Sequence, residues 1–146
     1  MHASEIPVIA IRKFIPPDSI KRIVFPTNFR LDQPEAMDKL KSLQSFFGAT
    51  LQILFVNTPK DFCTDNDISV LFRSFVEAYK LDNYTLHVYN DIAQEKGILN
   101  FAREVNADMI AMLTHRHIGL GQLLSGSLTD EVLENASWPL WCTLME

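Results

Sequence analysis

The sequence predicts an α/β protein: a five-stranded, doubly wound parallel sheet with helices on both faces, plus an extra strand near the N-terminus. From residue 20 onward, short apolar runs typical of buried strands alternate with segments of helical periodicity. The order is β-α-β-α-β-α-β-α-β, and strands separated by helices must be parallel, with right-handed crossovers. Helices then cover both faces of the sheet, as in Rossmann-like folds.

The first two strands and the helix between them are marked by apolar runs and by helix-end residues. Residues 23–25 and 51–56 are predominantly apolar and of strand length. Asp32 is expected to cap the intervening helix and Pro34 to lie in its first turn. Gly48 is a suitable residue just beyond its last turn. These signals predict one helix between two buried strands.

The second helix has the clearest amphipathic pattern in the chain. A polar loop over residues 58–67 precedes it. Apolar residues then recur at i, i+3, i+4, i+7, i+8 and i+11 from Ile68 to Tyr79, which is the spacing of one helix face. Residues 84–89 are rich in β-favouring side chains and predict the third strand.

The last two helices and strands follow the same alternation. Asp91 is expected to cap the third helix, in which Gly97 costs about 1 kcal/mol relative to Ala. Residues 109–113 predict the fourth strand. Residues 127–130 have the spacing of a capping box that opens the last helix, and residues 140–144 predict the final strand.

Composition is that of one globular domain. The chain has 146 residues, of which 47% are hydrophobic, and this is enough to bury a sizeable core without disulfides or metals. Strand centres and helix stripes supply the predicted core residues, which are Val24, Ile53, Phe55, Leu71, Phe75, Phe101, Ile110 and Leu133.

Charge and cysteine content exclude several classes of partner. The chain has 13 Lys and Arg against 18 Asp and Glu, whereas nucleic acids and anionic membranes attract clustered positive charge. No run approaches the ~18 apolar residues of a transmembrane helix, and no signal peptide is evident. Cys63 and Cys142 lie far apart without a C-x-x-C pattern, which favours two reduced thiols. A cytoplasmic location is therefore expected, with neither nucleic acid nor membrane as partner.

The two ends of the chain resemble each other. Residues 3–11 and residues 136–144 both read Ala-Ser-x, then Pro, then an apolar strand. The similarity is short, and coincidence is one interpretation. The other is that the first strand is the last strand of a preceding, homologous domain, joined through a linker over residues 12–19. Pro16 and Pro17 suit a semi-rigid linker.

Two segments carry a resemblance to a known family. Residues 112–133 read MLTHRHIGLGQLLSGSLTDEVL, and residues 23–29 read IVFPTNF. Ala107 and Asp108 precede the fourth strand, and Pro139 precedes the fifth. With the strand order, these features resemble the universal stress protein family from about residue 20 to the C-terminus.

The resemblance implies a fold like that of the adenine-nucleotide alpha hydrolases. Nucleotide-binding members carry G-x-x-G-x9-G-[ST], because glycines let backbone N–H groups approach phosphates and a helix N-terminus attracts anions. Here Gly126 and Ser127 retain the end of the motif, but Leu113 and Arg116 occupy the first two glycine positions. Asn28 lies where binding members have an acidic residue that helps to hold adenosine.

A weakened nucleotide site is therefore expected beyond the carboxyl ends of the first and fourth parallel strands. Side chains at 113 and 116 fill space that a triphosphate needs, although Arg116 could itself contact a phosphate. Thr27, Ser127 and Thr129 could be phosphate ligands or simply structural hydroxyls. We expect no tightly bound cofactor, weakened binding of ATP or AMP, and no catalytic residue. The candidate binding residues are Pro26, Thr27, Asn28, Met112, Arg116, Gly119, Gly126, Ser127, Leu128 and Thr129.

Other chemistry has weaker support. His115 and His117 could be half of a metal site, but two solvated histidines are the simpler interpretation. Asp61, Asp65 and Asp67 suggest calcium, yet the Gly and terminal Glu of an EF-hand loop are missing, which favours a solvated loop. The G-x-S-x-G turn that carries the serine nucleophile of α/β-hydrolases is also absent.

These observations leave three functional hypotheses. The leading one is a non-enzymatic, stress-response regulatory module with a degraded nucleotide site. The second is an ATP- or AMP-binding protein that uses Gly126-Ser127 and Arg116, and the third is a metal-dependent enzyme. Residues 1–18 are interpreted as the strand and linker of a preceding repeat, and residues 19–146 as the second domain of a tandem protein. Residues 139–144 are expected to form a homodimer or tandem interface and to pair antiparallel with residues 7–11, within one chain or swapped between two.

Overall fold

One mixed sheet organises the computed structural model, which describes residues 7–11, 14–114 and 128–144. Its strand order is β1-β6-β5-β2-β3-β4. Strands β2 to β6 are parallel, as predicted, and β1 is antiparallel to β6. The strands are β1 (Val8–Ala10), β2 (Arg22–Pro26), β3 (Thr50–Asn57), β4 (Tyr84–Asn90), β5 (Met109–Thr114) and β6 (Leu140–Leu144). The helices are α1 (Pro34–Phe47), α2 (Asp65–Tyr79), α3 (Gln94–Glu104) and α4 (Leu128–Asn135), with a 3-10 turn at Pro17–Ser19.

The core has one apolar cluster on each face of the sheet. Residues of α1 and α2 contribute to one cluster, and residues of α3 and α4 contribute to the other. The doubly wound arrangement is therefore confirmed. Five of the predicted core residues are buried and Phe55 is partly buried, whereas the side chain of Leu133 lies outside the described residues. The buried five are Val24, Ile53, Phe75, Phe101 and Ile110.

Leu71 was predicted to be buried, and this is wrong: it is 41% exposed. The buried stripe of α2 runs through Ile68, Phe75 and Tyr79. At 100° per residue, Leu71 lies on the flank of that stripe rather than at its centre. The i+3 position of a helix is buried only where a neighbouring element covers that flank.

The ends of α1 agree only in part with the sequence prediction. Gly48 ends the helix in the left-handed conformation, with φ 60°, as expected for a residue without Cβ. Asp32 was expected to be the N-cap, but Gln33 occupies that position and its side chain makes no capping hydrogen bond. The carboxylate of Asp32 instead accepts two hydrogen bonds from the Arg30 guanidinium.

Capping also differs from the prediction in α2 and α3. Helix α2 begins at Asp65, inside the predicted loop, because the hydroxyl of Thr64 accepts a hydrogen bond from the N–H of Asp67 at 3.2 Å. Ala93, not Asp91, is the N-cap residue of α3. The carboxylate of Asp91 instead accepts one hydrogen bond from the next backbone N–H and another from the side-chain amide of an asparagine on α3.

Gly97 allows α3 to lie close to β3. A Cβ atom at this position would be 3.0 Å from Cγ2 of Val56 and closer still to Cγ1. Val56 is itself buried, at 3% exposure. The sequence indicated only a cost in helix propensity at Gly97, whereas the structure shows that the absent side chain is what permits this contact.

The first strand completes one edge of the sheet. Val8 pairs with Cys142 and Ala10 with Leu140, so the predicted antiparallel pairing of the two terminal strands occurs within one chain. As this pairing requires, β6 lies between β1 and β5, and β1 forms the edge. The origin of β1 as the remnant of a preceding domain stays a prediction.

Candidate functional site

A cavity of about 620 Å³ lies beyond the carboxyl ends of the parallel strands. Strand β2 pairs with β3 on one side and with β5 on the other, and chain order reverses between β2 and β5. This is the topological switch point at which open α/β sheets bind their ligands. The volume lies within the range of small-molecule sites, which is roughly 300–1,000 Å³.

The cavity brings together the predicted site residues that the structure describes. Pro26, Thr27 and Asn28 line it from the end of β2, Met112 lines it from β5, and Leu128 lines it from the first turn of α4. Arg116, Gly119, Gly126 and Ser127 lie outside the described residues, as does the side chain of Thr129. A binding role for these residues stays a prediction.

The turn after β2 is held rigidly at the edge of the cavity. The hydroxyl of Thr27 accepts a hydrogen bond from the N–H of Phe29 at 2.9 Å. Phe29 adopts φ 66°, which is uncommon for an aromatic residue, and its ring stacks on Phe55 with centroids 5.4 Å apart. Since Phe29 is buried, it anchors the turn and leaves Asn28 exposed at the cavity edge. Thr27 therefore has a structural role whether or not it also meets a ligand.

The loop after β3 forms a second wall, and sequence reasoning missed its order. The buried amide of Asn57 donates to the carbonyl of Cys63 at 3.0 Å and accepts from the N–H of Cys63 at 2.9 Å. The hydroxyl of Thr58 accepts from the N–H of Asp61 at 3.3 Å. These bonds fix the loop, so that Asp61 lines the cavity instead of lying in an unstructured polar segment. Two polar residues directly after a buried strand were the available sequence signal.

The cavity wall carries two charged side chains among the described residues, Arg30 and Asp61. Arg30 is already paired: its Nε lies 3.1 Å from one carboxylate oxygen of Asp32, and its Nη2 lies 2.7 Å from the other. Hydrogen bonding from this guanidinium holds the pKa of Asp32 below its ordinary value. The carboxylate of Asp61 has no hydrogen-bond or ion-pair partner within the described residues.

The end of β5 narrows the cavity with apolar side chains. Leu113 is partly buried, packs against the aromatic core and lines the cavity. Met112 lines it as well and packs into the opposite core cluster. Gln94, in the first turn of α3, donates to the carbonyl of Val56 at 3.1 Å, which ties that helix to the end of β3. The described part of the cavity therefore has an apolar interior, with hydroxyls, amides, the Asp61 carboxylate and the Arg30 guanidinium around it.

The described residues contain no group of three His, Cys, Asp or Glu side chains arranged to hold a metal ion. Asp61, Asp65 and Asp67 thus do not converge, and His115 and His117 lie outside the described residues. Within the same part of the chain, no helix combines the length and the apolar character that crossing a membrane requires.

Comparison with known proteins agrees with this architecture. A family model described as the Universal stress protein family matches residues 19–143. The chain belongs to the universal stress protein family. The strand order, the Pro-Thr-Asn-Phe turn and the final Pro-led strand therefore indicated the correct family. A search of curated proteins found no match.

Solved structures of universal stress proteins share the fold. One from Archaeoglobus fulgidus DSM 4304 is 21% identical, with a TM-score of 0.72 over 99% of this chain and 51% of its own. A universal stress protein in complex with cAMP is 16% identical over 87% of this chain and 98% of its own, with a TM-score of 0.68. A third, from Archaeoglobus fulgidus in complex with dAMP, is 17% identical over 84% of this chain and 97% of its own, with a TM-score of 0.60. The chain thus spans about half the length of the first structure.

Proposed function

We propose that the chain is a stress-response regulatory module whose nucleotide site is weakened and which catalyses no reaction. The observation that carries this proposal is Leu113. Its side chain lines the cavity at the end of β5, where nucleotide-binding members of the family have a glycine. A glycine there lets backbone N–H groups approach phosphate, whereas a leucine side chain occupies that space.

The turn after β2 supports the same conclusion. Asn28 takes the place of the acidic residue that binding members direct toward the adenosine. An amide carries no charge, and hydrogen bonds to charged groups contribute more than neutral ones, about 1.5–3 kcal/mol against about 1. Loss of the carboxylate at this position therefore weakens binding of the adenosine end of the nucleotide, whereas Leu113 acts at the phosphate end.

The test is isothermal titration calorimetry with ATP, supported by thermal unfolding. We expect a dissociation constant weaker than about 10 µM, which corresponds to ~7 kcal/mol of binding free energy. Millimolar ATP should then raise the melting temperature only slightly, because ligand stabilisation follows RT ln(1 + [L]/Kd). A dissociation constant at or below about 10 µM would show that the site is intact and would overturn the proposal.

A gain-of-function variant sharpens the test. Restoring the family pattern with Asn28→Asp, Leu113→Gly and Arg116→Gly should increase ATP affinity if these three residues weaken the site. Asp38→Asn, on the exposed surface of α1, is the control and should leave affinity unchanged. If the restored chain folds and binds ATP no better than the parent, these positions do not determine affinity.

An alternative is that the chain binds ATP or AMP through Arg116 and Gly126-Ser127. Two observations favour it: the cavity lies at the switch point beside the first turn of α4, and related structures were solved with cAMP and dAMP. Arg116 would replace the lost glycine contacts with a bidentate phosphate contact. Here Gly126→Val should abolish binding by blocking backbone approach to the phosphate, while Arg116→Ala should weaken it.

We further propose that the β1–β6 side of the sheet is where this domain meets a second domain of the same fold. Val8 and Ile9 of β1 are 39% and 44% exposed, and an edge strand with apolar side chains invites further pairing. The resemblance between the two chain ends supports a homodimer or a tandem arrangement. Sedimentation velocity over a range of concentrations tests it: a monomer throughout would contradict the homodimer.

A further inference from the structure

The most distinctive group in the cavity is a carboxylate that sequence analysis treated as part of a solvated loop. Asp61 lines the cavity, and its side chain has no partner within the described residues. Its backbone is held by Thr58, and the end of its loop is held by Asn57. The backbone that carries this carboxylate is therefore ordered, and the side chain itself is exposed and available to a ligand.

The position of this carboxylate complements the change at Asn28. Both residues line the same cavity, Asn28 from the turn after β2 and Asp61 from the loop after β3. These two strands are neighbours in register, with Pro26 opposite Leu54. The negative charge lost at the end of one strand is therefore present on the loop that follows the adjacent strand.

The chemistry of the wall selects what this carboxylate can bind. An ionised carboxylate is an acceptor only, so it recognises hydroxyl or N–H donors and repels phosphate. The nearby guanidinium of Arg30 does not offset this repulsion, because it already donates to both oxygens of Asp32. Among the residues that the structure describes, the other polar groups lining the cavity, including Thr27, Gln94 and Thr114, are uncharged hydroxyls and amides.

We infer that the carboxylate of Asp61 accepts hydrogen bonds from the vicinal hydroxyls of a ribose. The ligand of this cavity is then a nucleoside or a nucleoside 5′-phosphate whose 2′- and 3′-hydroxyls are both free. Dinucleotide-binding sheets use an acidic side chain at a strand end in the same way. The base packs on the apolar interior, and a 5′-phosphate points away from Asp61, toward β5 and α4. Asp61 thus determines specificity for the ribose diol. This inference rests on the alternative proposed above, in which the cavity binds an adenine nucleotide.

Calorimetry with four probes tests this assignment on the full chain: adenosine, 2′,3′-dideoxyadenosine, 5′-AMP and 3′,5′-cyclic AMP. Adenosine should bind at least about tenfold more tightly than the dideoxy compound, since a charge-assisted hydrogen bond is lost in the latter. Cyclic AMP should bind more weakly than 5′-AMP, because its phosphodiester removes the 3′-hydroxyl and brings negative charge toward Asp61.

Two variants separate this role from a general effect on the cavity. Asp61→Asn should reduce adenosine affinity about tenfold and leave the dideoxy compound nearly unchanged, so that discrimination disappears. Asp65→Asn is the matched control, an exposed acidic residue four positions later that does not line the cavity. It should behave like the parent chain.

The outcomes are distinguishable. If none of the four probes binds at millimolar concentration, the alternative that the chain binds an adenine nucleotide here is wrong and this inference falls with it, whereas the leading proposal of a degraded site stands. If the probes bind but adenosine and its dideoxy analogue bind equally, or Asp61→Asn retains the discrimination, the site stands and the role of Asp61 is refuted. Loss of discrimination in Asp61→Asn alone supports the assignment.

Discussion

Replacing Gly97 by alanine should destabilise the protein even though alanine is the better helix former. Alanine gains about 1 kcal/mol in helix propensity over glycine. The added Cβ would lie 3.0 Å from Cγ2 of Val56 and closer to Cγ1, against a side chain only 3% exposed. A β-branched side chain cannot rotate away easily, and overpacking of this kind costs about 1–3 kcal/mol. Because the added Cβ contacts two methyl groups of Val56, we take the cost to be ~3 kcal/mol and the net loss to be ~2 kcal/mol.

Urea unfolding of a double-mutant cycle measures this loss. Val56→Ala removes both clashing methyl groups, so Gly97→Ala should be neutral or stabilising in that background, with a coupling energy of about 1–3 kcal/mol. Gly48→Ala is the matched control: its φ of 60° makes alanine costly, but no atom lies within 4 Å of the added Cβ. Its effect should therefore be additive with Val56→Ala. If Gly97→Ala stabilises the parent chain, the close approach of α3 to β3 is wrong.

Three further predictions follow from the core, the sheet edge and a histidine. Phe75 is 1% exposed, so Phe75→Ala should cost about 3–5 kcal/mol in the free energy of unfolding, and a loss below about 1 kcal/mol would mean that the buried face of α2 is misassigned. Deleting residues 1–12 uncovers the backbone of β6, so stability should fall and association between copies should increase in sedimentation experiments; no change in either would contradict a structural role for β1. Burial lowers the pKa of His87 below its ordinary 6.5, so the unfolded chain binds more protons and stability should fall as pH drops below about 6.5. Denaturant unfolding of His87→Gln between pH 5 and 8 should show a flatter profile, and an unchanged profile would assign the pH dependence elsewhere.

Strong periodic signals made most of the fold predictable. The alternation of apolar runs with helical stripes indicates a parallel sheet, because strands joined through a helix are connected by crossovers and run in the same direction. Individual side chains were less predictable where a tertiary neighbour decides the outcome. Leu71 fits a helical stripe, but the described residues leave it 41% exposed. Asp32 is a residue type that caps helices, but it lies two residues from Arg30 and pairs with that guanidinium instead.

The candidate site shows the same limit. Its location follows from strand order, and Asn28 and Leu113 could be recognised from the family motif. Asp61 could not, because its place in the cavity wall depends on the hydrogen bonds that order the loop, in which Thr58 accepts from Asp61 and Asn57 pairs with Cys63. A run of polar residues between a strand and a helix looks the same in sequence whether it is solvated or fixed.

The left-handed turn at Phe29 joins the edge of the cavity to the folded core. Its ring packs against Phe55, Phe72 and Phe75, so the edge of the cavity is a direct extension of the aromatic core between the sheet and α2. A substitution in that core therefore alters the packing that positions the Pro26–Thr27–Asn28 segment. If the proposed nucleotide site is correct, sequence drift in the interior can alter binding without changing a ligand contact, and selection on binding would act on core residues as well as on cavity residues.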